Sequence, residues 1–374
     1  MAGAAGIAVA NIYYNQPMLA IIEQDLPGPF TSAIPTATQL GYALGLFLLV
    51  PLGDVIERRR LIVAQFVLLA VALGLAAVAP NALSLLLASL AIGLLSTVAQ
   101  QIVPFAAHLA TPERRGAVVG TVMAGLLAGI LLSRTVAGFV AANGGWRDMF
   151  WLAAPIALAA AGLMAVLLPH SAPDSKLPYR HLLRSIGHLW SEFPALRLAA
   201  LTQAALFAAF SVFWTVLAFR LDQPAFGMGA DIVGLFGLLG TVGILAAPLA
   251  GRFADKHGAT GAVMLSAAVT LVSWIILGAW GSLIGLVVGV ILLDFGVQGA
   301  LVSNQHIVFA LHPDARARLN TVLMGSMFLG GALGSAASML VWNGGGWLAV
   351  STLGIGFSAI ATILQFKAGR RHAN

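Results

Sequence analysis

The chain has 374 residues, of which 60% are hydrophobic and only 9% charged, with a mean hydropathy of +0.95. Soluble domains carry about 25% charged residues, so this composition cannot wet a water-soluble fold, and the bilayer must serve as solvent. The 19 Lys and Arg against 13 Asp and Glu read as topology charge rather than a nucleic-acid footprint, and the lack of Cys excludes disulfides and thiolate metal sites.

Apolar stretches of about 20 residues, enough to cross the hydrocarbon core, predict twelve spans: 3–25, 33–53, 61–79, 82–110, 116–140, 147–168, 197–220, 231–253, 259–279, 282–311, 316–341 and 346–366. No charged n-region with a cleavage site precedes the first, so no secretory signal peptide is expected. An even number of spans puts both termini on one side. Of the basic residues, only Arg147 and Arg220 fall on the face opposite the termini and only Arg134 lies within a span. The rest, including Arg58, Arg59, Arg60, Arg114, Arg115, Arg252 and Lys256, share the other face, which places both termini in the cytoplasm.

The chain repeats itself at a spacing of 200. "ANIYYN" (10–15) lies over "FSVFWT" (210–215), "GTVMAG" (120–125) over "NTVLMG" (320–325), and "NGG" recurs at 143 and 343. The expected organisation is all-α: a six-helix bundle over 1–168, a cytoplasmic linker over 169–196, and a second six-helix bundle over 197–374. Parallel repeats of this kind suit a transporter with its site between the halves. Within the linker, Leu182, Leu183, Ile186, Leu189, Trp190 and Phe193 keep helical spacing with Arg180, Arg184 and His188 interleaved. That pattern predicts an amphipathic interfacial helix.

"PLGDVIERRRL" (51–61) follows span 2, and "GRFADKHGA" (251–259) follows span 8. Both resemble the loop signature of the major facilitator superfamily, Gly-x-x-x-Asp followed by basic residues. Val50 replaces the leading glycine of the first copy, while the second keeps Gly251, Asp255 and Gly258. The resemblance covers the whole chain and implies an all-α integral membrane fold of two pseudo-symmetric six-helix bundles. It also implies that Asp54, Arg58, Asp255 and Lys256 latch the cytoplasmic ends of the spans. At finer grain, "NIYYNQPML", "GLLAGILLSRTVAG" and "SNQHIVFALHPDARARLNTV" resemble a bacterial branch described as drug or sugar exporters. Exporters in this family often carry a Gly-Pro signature in span 5. Here that span has Gly120, Gly125 and Gly129 without proline, which leaves close glycine-mediated packing as its expected role.

Polar residues inside the spans are the candidates for a site, because each must find a partner away from water. Span 1 offers Asn11, Tyr14 and Asn15; span 4 offers Ser96, Gln100 and His108. Span 7 offers Gln203, Ser211 and Trp214, and span 10 offers Asp294, Gln298 and Gln305. Their spacing makes stripes that point inward, and in the resembled fold these four spans line the central cavity. The same amides and hydroxyls would also serve simply to hold helices together. Asp294 is the sharpest anomaly, alone in the apolar tract "VILLDFGVQG" (290–299). An ion pair with Arg134, the one basic residue deep in a span, would hold it ionised, and separation or wetting would let it take a proton. The alternatives are a static pair fixing the register of the halves and direct binding of a charged substrate.

The expected function is therefore secondary active transport by alternating access, as proton-coupled efflux of a small organic compound. Proton-coupled uptake or facilitated diffusion of a sugar or organic acid is the alternative. No phosphate loop marks an ATP-driven pump, and no nucleophile–base or metal-ligand constellation marks an enzyme. No cofactor or metal is expected. The partners expected are substrate, protons and the lipid bilayer of a bacterial inner membrane, with one chain sufficient.

Overall fold

A computed structural model of the chain describes residues 1–111, 113–171, 178–240, 249, 252–254, 256, 258–312 and 315–373, with side chains as far as 370. The described residues contain helices and connecting turns and no strand. This is the solution a bilayer imposes, since a helix pairs its backbone N–H and C=O groups within one segment. Among the described residues, nine segments are long and apolar enough to cross a membrane. One of these, Arg316–Arg370, holds two of the predicted spans. Span 8 runs into residues outside those described, and span 1 is broken. On α5 (Arg58–Ala77), Leu68, Val71 and Leu75 turn outward, a stripe at helical spacing that only lipid accommodates. The chain is a multi-pass membrane protein.

The first of two compact units takes Met1–Arg184 with Met228–Gly237. Span 1, expected as one helix, is instead α1 (Ala2–Ala10) and α2 (Asn15–Asp25) joined by a turn. Pro17 explains the correction: it lacks an N–H, and its ring excludes an α-helical carbonyl at Tyr13. The chain passes the break through i→i+3 bonds, from Ile12 N to Val9 O (3.2 Å), Tyr13 N to Ala10 O (3.1 Å) and Gln16 N to Tyr13 O (3.3 Å). After the short α3 (Pro29–Ser32), α4 (Ile34–Leu48) and a 3-10 turn (Pro51–Asp54) make span 2.

Span 4 is broken too, into α6 (Ala82–Ser96) and α7 (Val98–Leu109). There the Ser96 and Thr97 hydroxyls bond back to the carbonyls of Ile92 (2.7 Å) and Leu94 (2.6 Å), a habit that bends helices. Spans 5 and 6 are α8 (Arg115–Gly144) and α9 (Trp146–Leu167). The linker helix, α10, is Tyr179–Glu192, with Leu182, Ile186 and Leu189 buried.

Glycine sets the closeness of the packing. A Cβ on Gly129 of α8 would stand 2.2 Å from the carbonyl of Gly6 on α1, and one on Gly93 of α6 would stand 1.9 Å from that of Thr38 on α4. α12 (Ala230–Leu239) brings Ala230 and Gly234 against Gly138 of α8 in the same way. Thr135 Oγ1 donates to the Gly234 carbonyl (3.0 Å) at that contact.

The second unit takes Ser185–Gly227 with Leu238–Asn374. Span 7 is α11 (Pro194–Asp222), span 9 is α13 (Ala259–Ala279) and span 10 is α14 (Leu283–Leu311). Spans 11 and 12 run together as α15 (Arg316–Ala373), bent at Gly346, whose φ of 56° favours glycine. Gly145 (φ 100°) stands between α8 and α9 as Gly346 does within α15, each directly before a tryptophan, Trp146 or Trp347. Packing repeats as well. In the first unit α1 meets α8 and α5 meets α9. In the second, α11 meets the first part of α15 through Ala204, Ala208, Gly330 and Gly334, and α13 meets its second part through Trp274 and Gly354. The duplication legible at a spacing of 200 is thus a duplication of helix pairing.

Candidate functional site

The break in span 1 carries a polar cluster of the first unit. Asn11 Nδ2 donates to the carbonyls of Ile7 (2.6 Å) and Ala8 (3.3 Å), so its amide caps the end of α1. Asn15 Nδ2 donates to Thr38 Oγ1 (2.8 Å) on α4. One turn along α4, the Tyr42 hydroxyl accepts from Gln100 Nε2 (3.1 Å). The predicted residues Asn15 and Gln100, from spans 1 and 4, are therefore both tied to span 2. Tyr14 is buried.

Thr38 and Tyr42 were not singled out from sequence, because a Thr and a Tyr in an apolar span are unremarkable alone; their i, i+4 spacing was the available signal. Arg134, only 3% exposed, donates from Nε to Gln16 Oε1 (2.8 Å) and lies over the Tyr13 ring (4.4 Å to the centroid). Gln16 was missed for a simple reason: it falls off the Asn11–Asn15 stripe.

In the second unit Gln203 is fully buried and accepts from Asn304 Nδ2 (3.1 Å) through Oε1. This joins span 7 to span 10 through Asn304, a residue outside the candidate set. Ser211 is buried, and Trp214 packs against the rings of Phe210 (6.0 Å) and Phe213 (5.5 Å). Gln298 is half-buried on α14. Asp294, one turn before it, is 4% exposed, a carboxyl enclosed near the middle of a membrane-spanning helix. His108 is exposed.

At the face bearing the first loop signature, Arg58 Nη2 lies 3.4 Å from Asp54 Oδ1, and Arg58 Nε donates to the Gly53 carbonyl (3.3 Å). Behind the loop, buried Gln101 donates to Gln65 Oε1 (2.6 Å) and to the Leu49 carbonyl (3.2 Å). Glu57 pairs with Arg60 (2.7 Å) and with His170 Nδ1 (2.7 Å). Arg59, a donor only, contacts His170 Nε2 (2.9 Å), so Nε2 accepts and Nδ1–H donates to Glu57. His170 is the main reason that the Glu57 carboxyl is held below its ordinary value. Of the second loop copy, Asp255 lies outside the described residues, and Lys256 is helical and exposed.

The two arginines that the charge pattern sets apart, Arg147 and Arg220, each meet a tryptophan of their own unit. Trp146 Nε1 donates to Asp25 Oδ2 (3.0 Å), Arg147 pairs with the same carboxylate, and its guanidinium lies 4.1 Å from the Trp146 ring centroid. In the second unit Trp347 Nε1 donates to the Leu277 carbonyl (2.9 Å), with Arg220 over its ring at 5.2 Å. Each of these arginines thus lies over the tryptophan that follows a duplicated glycine turn.

Two duplicated helical units that cross the membrane, with amides and a carboxyl hidden among their spans, define a class: a multi-pass membrane protein built on an internal repeat. The comparisons narrow it. A family profile described as Major Facilitator Superfamily matches residues 1–335. An uncharacterized transporter, YgaY, of Escherichia coli O157:H7 is 42% identical over 376 residues, covering 99% of this chain and 95% of that protein. A protein of Streptomyces coelicolor described as a probable transporter is 32% identical over 347 residues, covering 91% and 80%. Among solved structures, the nucleoside transporter NupG superposes with a TM-score of 0.75 at 14% identity, over 98% of each chain. The chain belongs to the Major Facilitator Superfamily.

Proposed function

We propose that this transporter is a secondary active, proton-coupled exporter of a small organic compound. It would work by alternating access as a single chain in a bacterial inner membrane, with both termini in the cytoplasm. The observation that supports this most is Asp294. A carboxyl this enclosed in a membrane span is expensive to keep ionised, and such groups mark ion and proton pathways.

In this reading Asp294 takes the proton when its surroundings are dry and releases it when water or a basic group reaches it. Arg134, held in place by Gln16 and Tyr13, is the basic member of the couple. The substrate groups are Asn11, Tyr14, Asn15 and Gln100 from the first half, with Gln203, Ser211, Trp214 and Gln298 from the second. Asp54, Arg58, Asp255 and Lys256 latch the cytoplasmic ends. Amides and aromatic rings with few charges suit a neutral, aromatic or singly charged compound.

The test is purified protein in liposomes loaded with a pH-sensitive dye and challenged with a library of small organic compounds under imposed pH gradients of either sign. The reading predicts that at least one compound moves protons opposite to itself. Transport of a compound with no change in internal pH would reject coupling, and co-movement in one direction would favour uptake.

A further inference from the structure

We infer that the first half of the chain contains a built hinge that its repeat lacks, with Pro17 and Asn11 as positioning residues and the Ser96–Gln100 segment as its partner. At a spacing of 200, Leu217 stands where Pro17 does, Val297 where Thr97 does, and Asn304 where Pro104 does. The backbones differ accordingly. Span 1 breaks between α1 and α2, and span 4 breaks at Thr97, where the Gln100 N–H reaches the Thr97 carbonyl (2.9 Å). Their repeats, α11 and α14, run unbroken over Pro194–Asp222 and Leu283–Leu311. Short i→i+3 stretches inside a helix mark hinges, because their bonds are weaker and their side chains eclipse.

Two further observations distinguish a device from a defect. First, the carbonyls freed at the end of α1 have a dedicated partner in the Asn11 amide, which donates to Ile7 and Ala8. Second, Asn11 Oδ1 and Asn15 Oδ1 accept no hydrogen bond among the described residues, although both side chains are 3% exposed. An acceptor buried without a donor costs free energy, and both of these lie at the ends of the break itself. The break also sets the direction of Asn15, which donates to Thr38 of α4. Bending at span 1 therefore moves Asn15 relative to α1, while the unbroken α11 carries its own polar residues as one rod. The halves are alike in pairing and unlike in stiffness.

Hydrogen exchange of the full chain in lipid nanodiscs, with no substrate added, tests this by mass spectrometry. The amides of residues 12–16 and 98–100 should exchange about ten-fold faster than those of 212–216 and 298–300, as expected of a locally opening segment. Equal or reversed rates overturn the inference. Because water access alone could speed exchange, Pro17→Leu supplies the second reading. Placing the repeat's residue there should slow exchange at 12–16 towards that of 212–216 and leave 298–300 unchanged. A folded Pro17→Leu protein with wild-type exchange at 12–16 overturns the role of Pro17. If that variant fails to fold, Pro17→Ala, which also restores the N–H, is read in the same way, and unchanged exchange at 12–16 in it overturns the inference.

Discussion

Trp146 and Trp347 show how much one residue can organise. Each follows a glycine at positive φ, each is buried, and each spends its ring N–H on a different helix: α2 through Asp25 in one unit, α13 through the Leu277 carbonyl in the other. The arginines above them were legible only as two exceptions to the charge bias; stacking on the rings explains why they are there. Both Arg147 and Asp25 are more than a third exposed, so solvent screens the pair. Arg147→Ala should therefore destabilise the protein by only about 1 kcal/mol, read as a small drop in the thermal unfolding midpoint in detergent. On the other face the lowered Glu57 carboxyl makes a pH prediction. A depressed folded-state pKa contributes stability above the unfolded value, about 4.3 for Glu, and loses it as pH falls through the folded value. The stability gap between wild type and Glu57→Gln should be present near neutral pH and shrink on acidification below about 4. A gap that persists undiminished below the unfolded carboxyl value would contradict the His170–Glu57 geometry. Asp294 and Arg134 could be found from sequence because a charge in an apolar run is conspicuous. The Gln65–Gln101 and Asn15–Thr38 bonds could not, since neutral partners are chosen by which helix faces meet.

At the scale of elements, hydropathy located most spans closely: 259–279 was expected and Ala259–Ala279 is observed. Hydropathy is blind to what interrupts an apolar run, so spans 1 and 4 read as continuous although Pro17 stands in the first and Ser96–Thr97 in the second. Proline in a span is tolerated where neighbours re-satisfy the freed backbone, and here the Gln16 N–H meets the Tyr13 carbonyl while the Asn11 amide meets those of Ile7 and Ala8. Glycine was more legible. The absence of proline beside Gly125 and Gly129 pointed to close packing, and those residues lie against Ala2 and Gly6. A side chain on Gly129 would collide with backbone, not a movable side chain tip, so Gly129→Leu should cost about 1–3 kcal/mol or more by overpacking. Gly120→Leu, with open space around it, should be near neutral. Paired unfolding midpoints and detergent-extractable yields check both; equal loss from the two would contradict the packing.

At the scale of the molecule, the repeat, the membrane class and the family all follow from patterns that survive averaging over many residues. Which polar groups meet inside the spans depends on individual side chains, and the sequence did not single out such partners, as Gln203 with Asn304 shows. The two halves repeat one helix pairing, yet an enclosed acid at position 294 has only Leu94 at the matching place in the first half. That asymmetry is what the coupling account rests on. Its most direct test compares wild type with Asp294→Asn in liposomes carrying an internal pH dye, using a compound the wild type transports. The account predicts that the variant still binds the compound and exchanges it across a membrane without a pH gradient, while gradient-driven flux and the accompanying proton movement disappear. Undiminished proton-driven transport by Asp294→Asn would contradict it.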